Sequence, residues 1–130
     1  MSHGTFATAF NCIDGRTQQP LINFVKKEIG VDHVDVITAP GMNKAFATKA
    51  AALESWKQAA EISVQKHGSQ TIIVAGHYDC AGNPVDNAQH ALDIKASCDI
   101  IKDWNWPVRV IGAWVNDKWE IETVYDSQNS

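Results

Sequence analysis

The chain has 130 residues, of which 45% are hydrophobic and 20% charged, and its formal net charge is −4. This length and balance predict one globular domain over residues 1–130. The acidic balance argues against nucleic acid or an anionic membrane surface as a partner, and no apolar stretch approaches the ~20 residues that span a membrane.

Strands and helices alternate along the predicted chain. An apolar first strand is expected over residues 5–13, and Pro20 suits the first turn of a helix that runs to residue 28 and ends at Gly30. A second strand follows over His33–Thr38. The spacing of apolar residues then predicts one long helix over 43–67. The remaining predicted elements are a strand over 71–75, a helix capped by Asp86, a strand over 108–115 and its hairpin partner over 119–125.

This alternation predicts an α/β fold with a mostly parallel sheet, helices on both faces and one antiparallel edge. In such sheets, ligands bind beyond the carboxyl ends of the strands, at the point where the strand order reverses. The residues that follow the first and third strands are therefore the first place to look for chemistry.

Those two strand ends carry metal-binding residue types. Cys12 ends the first strand, and His77 and Cys80 follow the third. If these strands are neighbours, the three side chains meet, and two thiolates with one imidazole suit Zn²⁺ while leaving a fourth position open. The alternative is a pair of buried thiols beside a surface histidine. Cys98 lies on an apolar helical face and is expected to be a small buried hydrophobe.

An acidic and a basic residue accompany the first cysteine. Cys12, Asp14 and Arg16 are spaced by two, so an extended backbone would place all three on one side. Asp14 can then accept a hydrogen bond from a zinc-bound water, or take the fourth metal position itself and close the site. Arg16 can hold Asp14 in a charge-assisted fork. The alternative for this pair is a local ion pair at the strand end.

Redox chemistry and export are less well supported. No Cys-x-x-Cys pair is present, which argues against a thiol redox protein. An odd number of cysteines and the lack of a visible signal peptide predict a cytoplasmic protein without a disulfide framework.

Together, Cys12-x-Asp14-x-Arg16 and His77-x-x-Cys80 resemble the zinc signature of the β-class carbonic anhydrases. The resemblance covers residues 6–126, including the strand before His77 and the terminal hairpin. It implies a four-stranded, mostly parallel sheet in the order 2-1-3-4 with an antiparallel C-terminal edge strand. It also implies a homodimer or a higher homo-oligomer.

The resemblance further implies reversible hydration of CO2 to bicarbonate by a metal-bound hydroxide. Zn²⁺ would be held by Cys12, His77 and Cys80, with Asp14 and Arg16 as the catalytic pair. Because two thiolates donate more charge than neutral histidines, activity is expected to rise toward alkaline pH.

Several positions differ from the usual family pattern. Gly15 stands where serine is common, and residues 38–41 replace an Arg-Asn-Ala-Gly stretch. His3 stands about where many members carry an active-site glutamine. Ala81 follows the second cysteine in place of glycine, and the backbone N–H groups of Ala81 and Gly82 are the predicted contacts for the product's oxygens. A zinc-binding module without CO2 activity, or a hydrolase of carbonyl sulfide or carbon disulfide, is the alternative.

Overall fold

Five strands and four helices follow one another along residues 4–129, the part of the chain that the computed structural model describes. The strands are β1 (Phe6–Asn11), β2 (His33–Thr38), β3 (Thr71–His77), β4 (Arg109–Val115) and β5 (Ile121–Asp126). The helices are α1 (Gly15–Ile29), α2 (Met42–Ala47), α3 (Leu53–Lys66) and α4 (Asn87–Lys102), and a short 3-10 helix covers Ser127–Asn129.

The strands form one sheet in the order β2-β1-β3-β4-β5. All neighbouring pairs are parallel except β4 and β5, which are antiparallel and joined by a tight turn. The order predicted for the first four strands is therefore observed, and the predicted edge strand makes the sheet five-stranded. Because β1 lies beside β3, the carboxyl ends of these two strands meet at one edge.

Helices cover both faces of the sheet. Helix α1 lies on one face, over strand residues that are small or branched, and α2, α3 and α4 lie on the other. The strand residues on the α1 face are Ala7, Ala9, Ile73, Ala75, Ile111 and Ala113, all buried. Alternate residues of the same strands, such as Phe10, Ile72 and Val74, face the other helices. Burial on both faces explains why these strands show little polar alternation.

Helix α1 begins earlier than the sequence predicts. Asp14 is its N-cap, and the Asp14 carboxylate accepts the backbone N–H of Arg16 at 2.9 Å. Aspartate is a favoured N-cap residue, so the helix starts there and Pro20 lies inside it. Proline withholds a helical N–H at that point. Gly30 ends the helix as predicted, with a left-handed φ of 79°.

The long helix predicted over residues 43–67 is wrong, because the chain turns between α2 and α3. Lys49 has a left-handed φ of 54°, and its N–H donates to the carbonyl oxygen of Phe46 at 3.0 Å. The N–H of Ala50 donates to the carbonyl oxygen of Ala45 at 2.9 Å. These two bonds form a Schellman end, which usually carries glycine at the left-handed position. Because Lys49 stands there instead of glycine, the sequence does not show that the helix ends at this point.

The capping of α4 follows the prediction. The Asp86 carboxylate accepts the N–H of Gln89 at 2.8 Å, and the Gln89 side chain donates to Asp93.

The helices are too short to cross a membrane. At 16 residues, α4 is shorter than a membrane span, and no helix within residues 4–129 is long and apolar enough for one.

The end of β5 is tied to the neighbouring strand by side-chain hydrogen bonds. Arg109 donates from Nε and Nη2 to the two carboxylate oxygens of Asp126 at 3.0 and 2.5 Å. The Asp126 side chain is only 8% exposed. Hydrogen bonds from Arg109 hold the pKa of Asp126 below its usual value. The backbone N–H of Val110 also donates to the Ser127 hydroxyl.

We expect Asp126→Asn to lower the free energy of unfolding by about 1–3 kcal/mol at neutral pH, because a charge-assisted bond is lost. Since folding depresses this pKa, the stabilisation is present above the ordinary aspartate value of about 3.9 and is lost as pH falls below it. Urea unfolding at several pH values measures both effects. Asp99→Asn, which breaks the exposed Lys95–Asp99 pair, is the control and should change stability little. Equal losses in the two variants would contradict the prediction.

Candidate metal centre

Three buried ligand side chains meet beyond the carboxyl ends of β1 and β3. Cys12 directly follows β1, His77 is the last residue of β3, and Cys80 lies in the loop after it. Their ligand atoms all lie within 4.8 Å of one another, and the two sulfur atoms are 3.9 Å apart. The structure thus brings together the residues that the sequence analysis singled out, because β1 and β3 are parallel neighbours.

The hydrogen bonding of His77 prepares its ring for a metal ion. Nδ1 lies 2.7 Å from the carbonyl oxygen of Tyr78, so Nδ1 carries the proton and donates it. Nε2 is then an acceptor, and it is buried without a hydrogen-bond partner among residues 4–129. A buried acceptor without a partner is costly, and a cation at this point would remove the cost. Metal-binding histidines commonly have this arrangement.

The donor set decides which ion fits. Two sulfurs and one imidazole nitrogen favour Zn²⁺ over hard ions such as Mg²⁺ or Ca²⁺. Three protein ligands also leave one coordination position for water or substrate. The residues present therefore fit a zinc ion.

Asp14 and Arg16 form a tight pair beside this cluster. Arg16 Nη2 donates to Asp14 Oδ2 at 2.6 Å, and Nε donates to Oδ1 at 3.0 Å. These hydrogen bonds lower the pKa of Asp14 to about 2 and raise that of Arg16. Asp14 is therefore ionised and accepts hydrogen bonds only.

The backbone of this pair differs from the extended one expected from the sequence. Asp14 caps α1 and Arg16 lies in its first turn, so the two side chains meet across a helix start. Arg16 also donates from Nη2 to the carbonyl oxygen of Asp79 at 3.2 Å, and its Nη1 lies 3.4 Å from the Asp79 carboxylate. It therefore links α1 to the loop that carries Cys80.

Gly82 is pressed against the loop before α2. A Cβ atom on Gly82 would lie 2.5 Å from the backbone nitrogen of Gly41, and one on Gly41 would lie equally close to the Gly82 carbonyl group. Only glycine fits at either position. Ala81, by contrast, is exposed. That Ala81 and Gly82 contact substrate stays a prediction, and His3 lies outside the described residues.

A small cavity beside the cluster reveals residues that the sequence analysis did not single out. Its volume is about 10 Å³, and Asn43, Asn83 and His90 line it together with the three metal-binding candidates. His90 is buried, its Nδ1 has no hydrogen-bond partner in the described part of the chain, and desolvation lowers the pKa of its ring. The sequence pattern could have indicated that His90 is buried. It lies at helical spacing from Ile94, Ser97 and Ile101, which are buried on the same side of α4.

Comparison with known proteins relates this architecture to carbonic anhydrases. A family model described as "Putative carbonic anhydrase" matches residues 2–125. No curated protein matches the sequence. Similar solved structures include β-carbonic anhydrase isoform I from Trichomonas vaginalis, at 18% identity over 92% of this chain and 82% of that chain, with a TM-score of 0.62.

Two further structures have the same fold. Carbonic anhydrase from Glaciozyma antarctica has 16% identity over 91% of this chain and 81% of that one, with a TM-score of 0.60. One of two tetrameric β-carbonic anhydrases from the filamentous ascomycete Sordaria macrospora has 13% identity over 89% and 79%, with a TM-score of 0.58. At these identities the structures establish a shared fold.

We expect the purified chain to bind about one Zn²⁺ ion, and Cys80→Ala to abolish this binding. The matched control is Cys98→Ala, because Cys98 is buried in the core and desolvation raises the pKa of its thiol to about 12. Zinc analysis after dialysis, with the thiolate-to-metal absorption of the Co²⁺-substituted protein, measures both variants. Equal zinc loss in the two variants would contradict the assignment.

Proposed function

Because the chain belongs to the carbonic anhydrase family as a divergent relative of the β-class, we propose that it catalyses the zinc-dependent, reversible hydration of CO2 to bicarbonate. The observation that carries this proposal is the buried Cys12–His77–Cys80 cluster beside the Asp14–Arg16 pair. In the forward direction the oxygen of a water molecule bonds to the carbon of CO2, and one proton leaves to solvent.

The three buried residues would hold the metal. Cys12 and Cys80 would bind as thiolates, and His77 would bind through Nε2 because Nδ1 donates to Tyr78. When bound, zinc supplies the Lewis acidity that makes water a nucleophile near neutral pH. The hydrogen bond from the N–H of Tyr78 to the carbonyl of Val115, 2.8 Å long, holds the loop that follows His77 against β4.

Asp14 would orient the nucleophile. Its carboxylate can only accept hydrogen bonds, since Arg16 keeps it ionised. A water or hydroxide that donates a hydrogen bond to Asp14 must direct its lone pair elsewhere, toward the carbon of CO2. Arg16 fixes both carboxylate oxygens through its fork, so the orientation is set before substrate arrives.

The loop after Cys80 would receive the product. The backbone N–H groups of Ala81 and Gly82 follow the last proposed ligand directly and would contact the oxygens of bicarbonate. Support for this part comes from the position of Gly82, which the contact with Gly41 holds in place.

A zinc-binding module without CO2 turnover is the second candidate function. One observation favours it, namely that the cavity beside the cluster has a volume of only about 10 Å³. Such a cavity holds about one water molecule. Zinc binding without CO2 hydration at any pH would support this candidate over the enzyme.

We further propose that the chain forms a homodimer or a higher homo-oligomer. The Sordaria relative is tetrameric, and large apolar side chains such as Ile13 and Leu92 are 56% and 63% exposed here. Light scattering coupled to size exclusion should give at least twice the 14.3 kDa chain mass. A monomeric mass would contradict this proposal. The cytoplasmic location remains a prediction.

Asp14→Asn tests the proposed catalytic role. Asparagine caps helices as well as aspartate does, so α1 should remain intact. Without the carboxylate, we expect CO2 hydration to fall by about 100-fold or more, with zinc content unchanged.

Stopped-flow hydration assays from neutral to alkaline pH provide the measurement, and wild-type activity should rise with pH because two thiolates weaken the metal's Lewis acidity. Asp99→Asn, on the outer side of α4, is the control and should retain wild-type activity. An unchanged rate in Asp14→Asn would leave the proposed role of Asp14 without support.

A further inference from the structure

Trp119, in the turn between β4 and β5, lies over the guanidinium group of Arg16. The guanidinium carbon is 4.6 Å from the centre of the Trp119 ring, which is a cation–π contact. The two residues are far apart in the chain and belong to different elements. Their contact therefore depends on tertiary structure and joins the terminal hairpin to the proposed catalytic pair.

The backbone of Trp119 is unfavourable for a bulky residue. Its φ is 59°, in the left-handed region, and its N–H donates to the carbonyl of Asn116 at 3.0 Å. A residue that follows a tight turn in this conformation is usually glycine, because a Cβ atom is strained there. Tryptophan at such a position indicates that the ring is retained for a contact outside the turn.

The turn itself does not depend on the Trp119 ring. The side-chain oxygen of Asn116 accepts the backbone N–H groups of Lys118 and Glu120 at 2.9 and 3.0 Å. The N–H of Asn116 also donates to the carbonyl of Glu120. These bonds define the turn with any residue at 119, and glycine there would relieve the backbone strain.

The Trp119 ring restrains the Arg16 side chain. Its side chain is 48% exposed, so water competes for its N–H groups on the solvent side. The fork with Asp14 and the bond to the Asp79 carbonyl hold the edge of the guanidinium group. Trp119 covers one face of the planar group and so adds a restraint that the edge contacts do not supply.

We propose that Trp119 is a positioning residue that holds the Arg16 guanidinium group in its fork with Asp14. This inference rests on the proposed function for its catalytic consequence. The contact between Trp119 and Arg16 does not depend on metal, substrate or activity. A ring that contributes only to packing would affect stability but would leave the orientation of Arg16 unchanged.

Trp119→Gly separates these two roles. The variant should fold with unchanged or greater thermal stability and bind zinc normally, while kcat for CO2 hydration falls about threefold to tenfold. Trp119→Phe keeps a π face and should retain most of the wild-type kcat. Wild-type kcat in Trp119→Gly would overturn the catalytic part of the proposal.

NMR of the zinc-free protein provides a readout that does not depend on activity. In the wild type, the Nε–H proton of Arg16 should be shifted by the ring current and protected from exchange. Both effects should disappear in Trp119→Gly. An unchanged exchange rate of the Arg16 proton would overturn the proposal. A wild type without CO2 hydration would overturn the proposed function and leave this test valid.

A third variant covers the case in which Trp119→Gly is unstable. Trp119→Leu and Trp119→Phe have the same strained backbone and differ in the π face. A protected, shifted Arg16 signal in the phenylalanine variant and its loss in the leucine variant would support the proposal. Equal exchange rates of the Arg16 proton in both would overturn it.

Discussion

The pairing of β1 with β3 is the constraint on which the candidate site depends. These strands are parallel neighbours in the middle of the sheet, so Cys12 at the end of one meets His77 and Cys80 at the end of the other. Burial of both strands makes this arrangement rigid, because apolar side chains on both faces must keep their register. A site made of three buried metal-ligand side chains needs such a frame to hold them together.

Arg16 connects the parts of the molecule that surround this cluster. Its guanidinium group donates hydrogen bonds to Asp14, the cap of α1, and to Asp79 in the loop after β3. It also makes a cation–π contact with Trp119 in the turn after β4. Asp14 has two roles at the same time, since its carboxylate both starts α1 and receives the Arg16 fork. The helix start thereby determines where the carboxylate points, and a local capping preference becomes part of the site's geometry.

Some of the unusual backbone conformations within residues 4–129 lie close to the site, although Lys49 and Asn105 have left-handed φ values elsewhere. Asp79 and Trp119 both have left-handed φ values near 59°, and Gly41 and Gly82 approach more closely than any other residue type allows. Such conformations persist only where the surrounding structure holds them. Here the contacts of Arg16 and the close loop contact supply that support.

The sequence by itself determined the alternation of strands and helices, the capping of α4 by Asp86 and the donor types Cys12, His77 and Cys80, because these depend on local pattern and chemistry. Only the tertiary structure decided that Lys49 takes the left-handed position after α2, that His90 lines the site and that Trp119 covers Arg16. These features depend on contacts between residues far apart in the chain. Periodicity and propensity describe the face of one element, and they do not specify which distant residue packs against it.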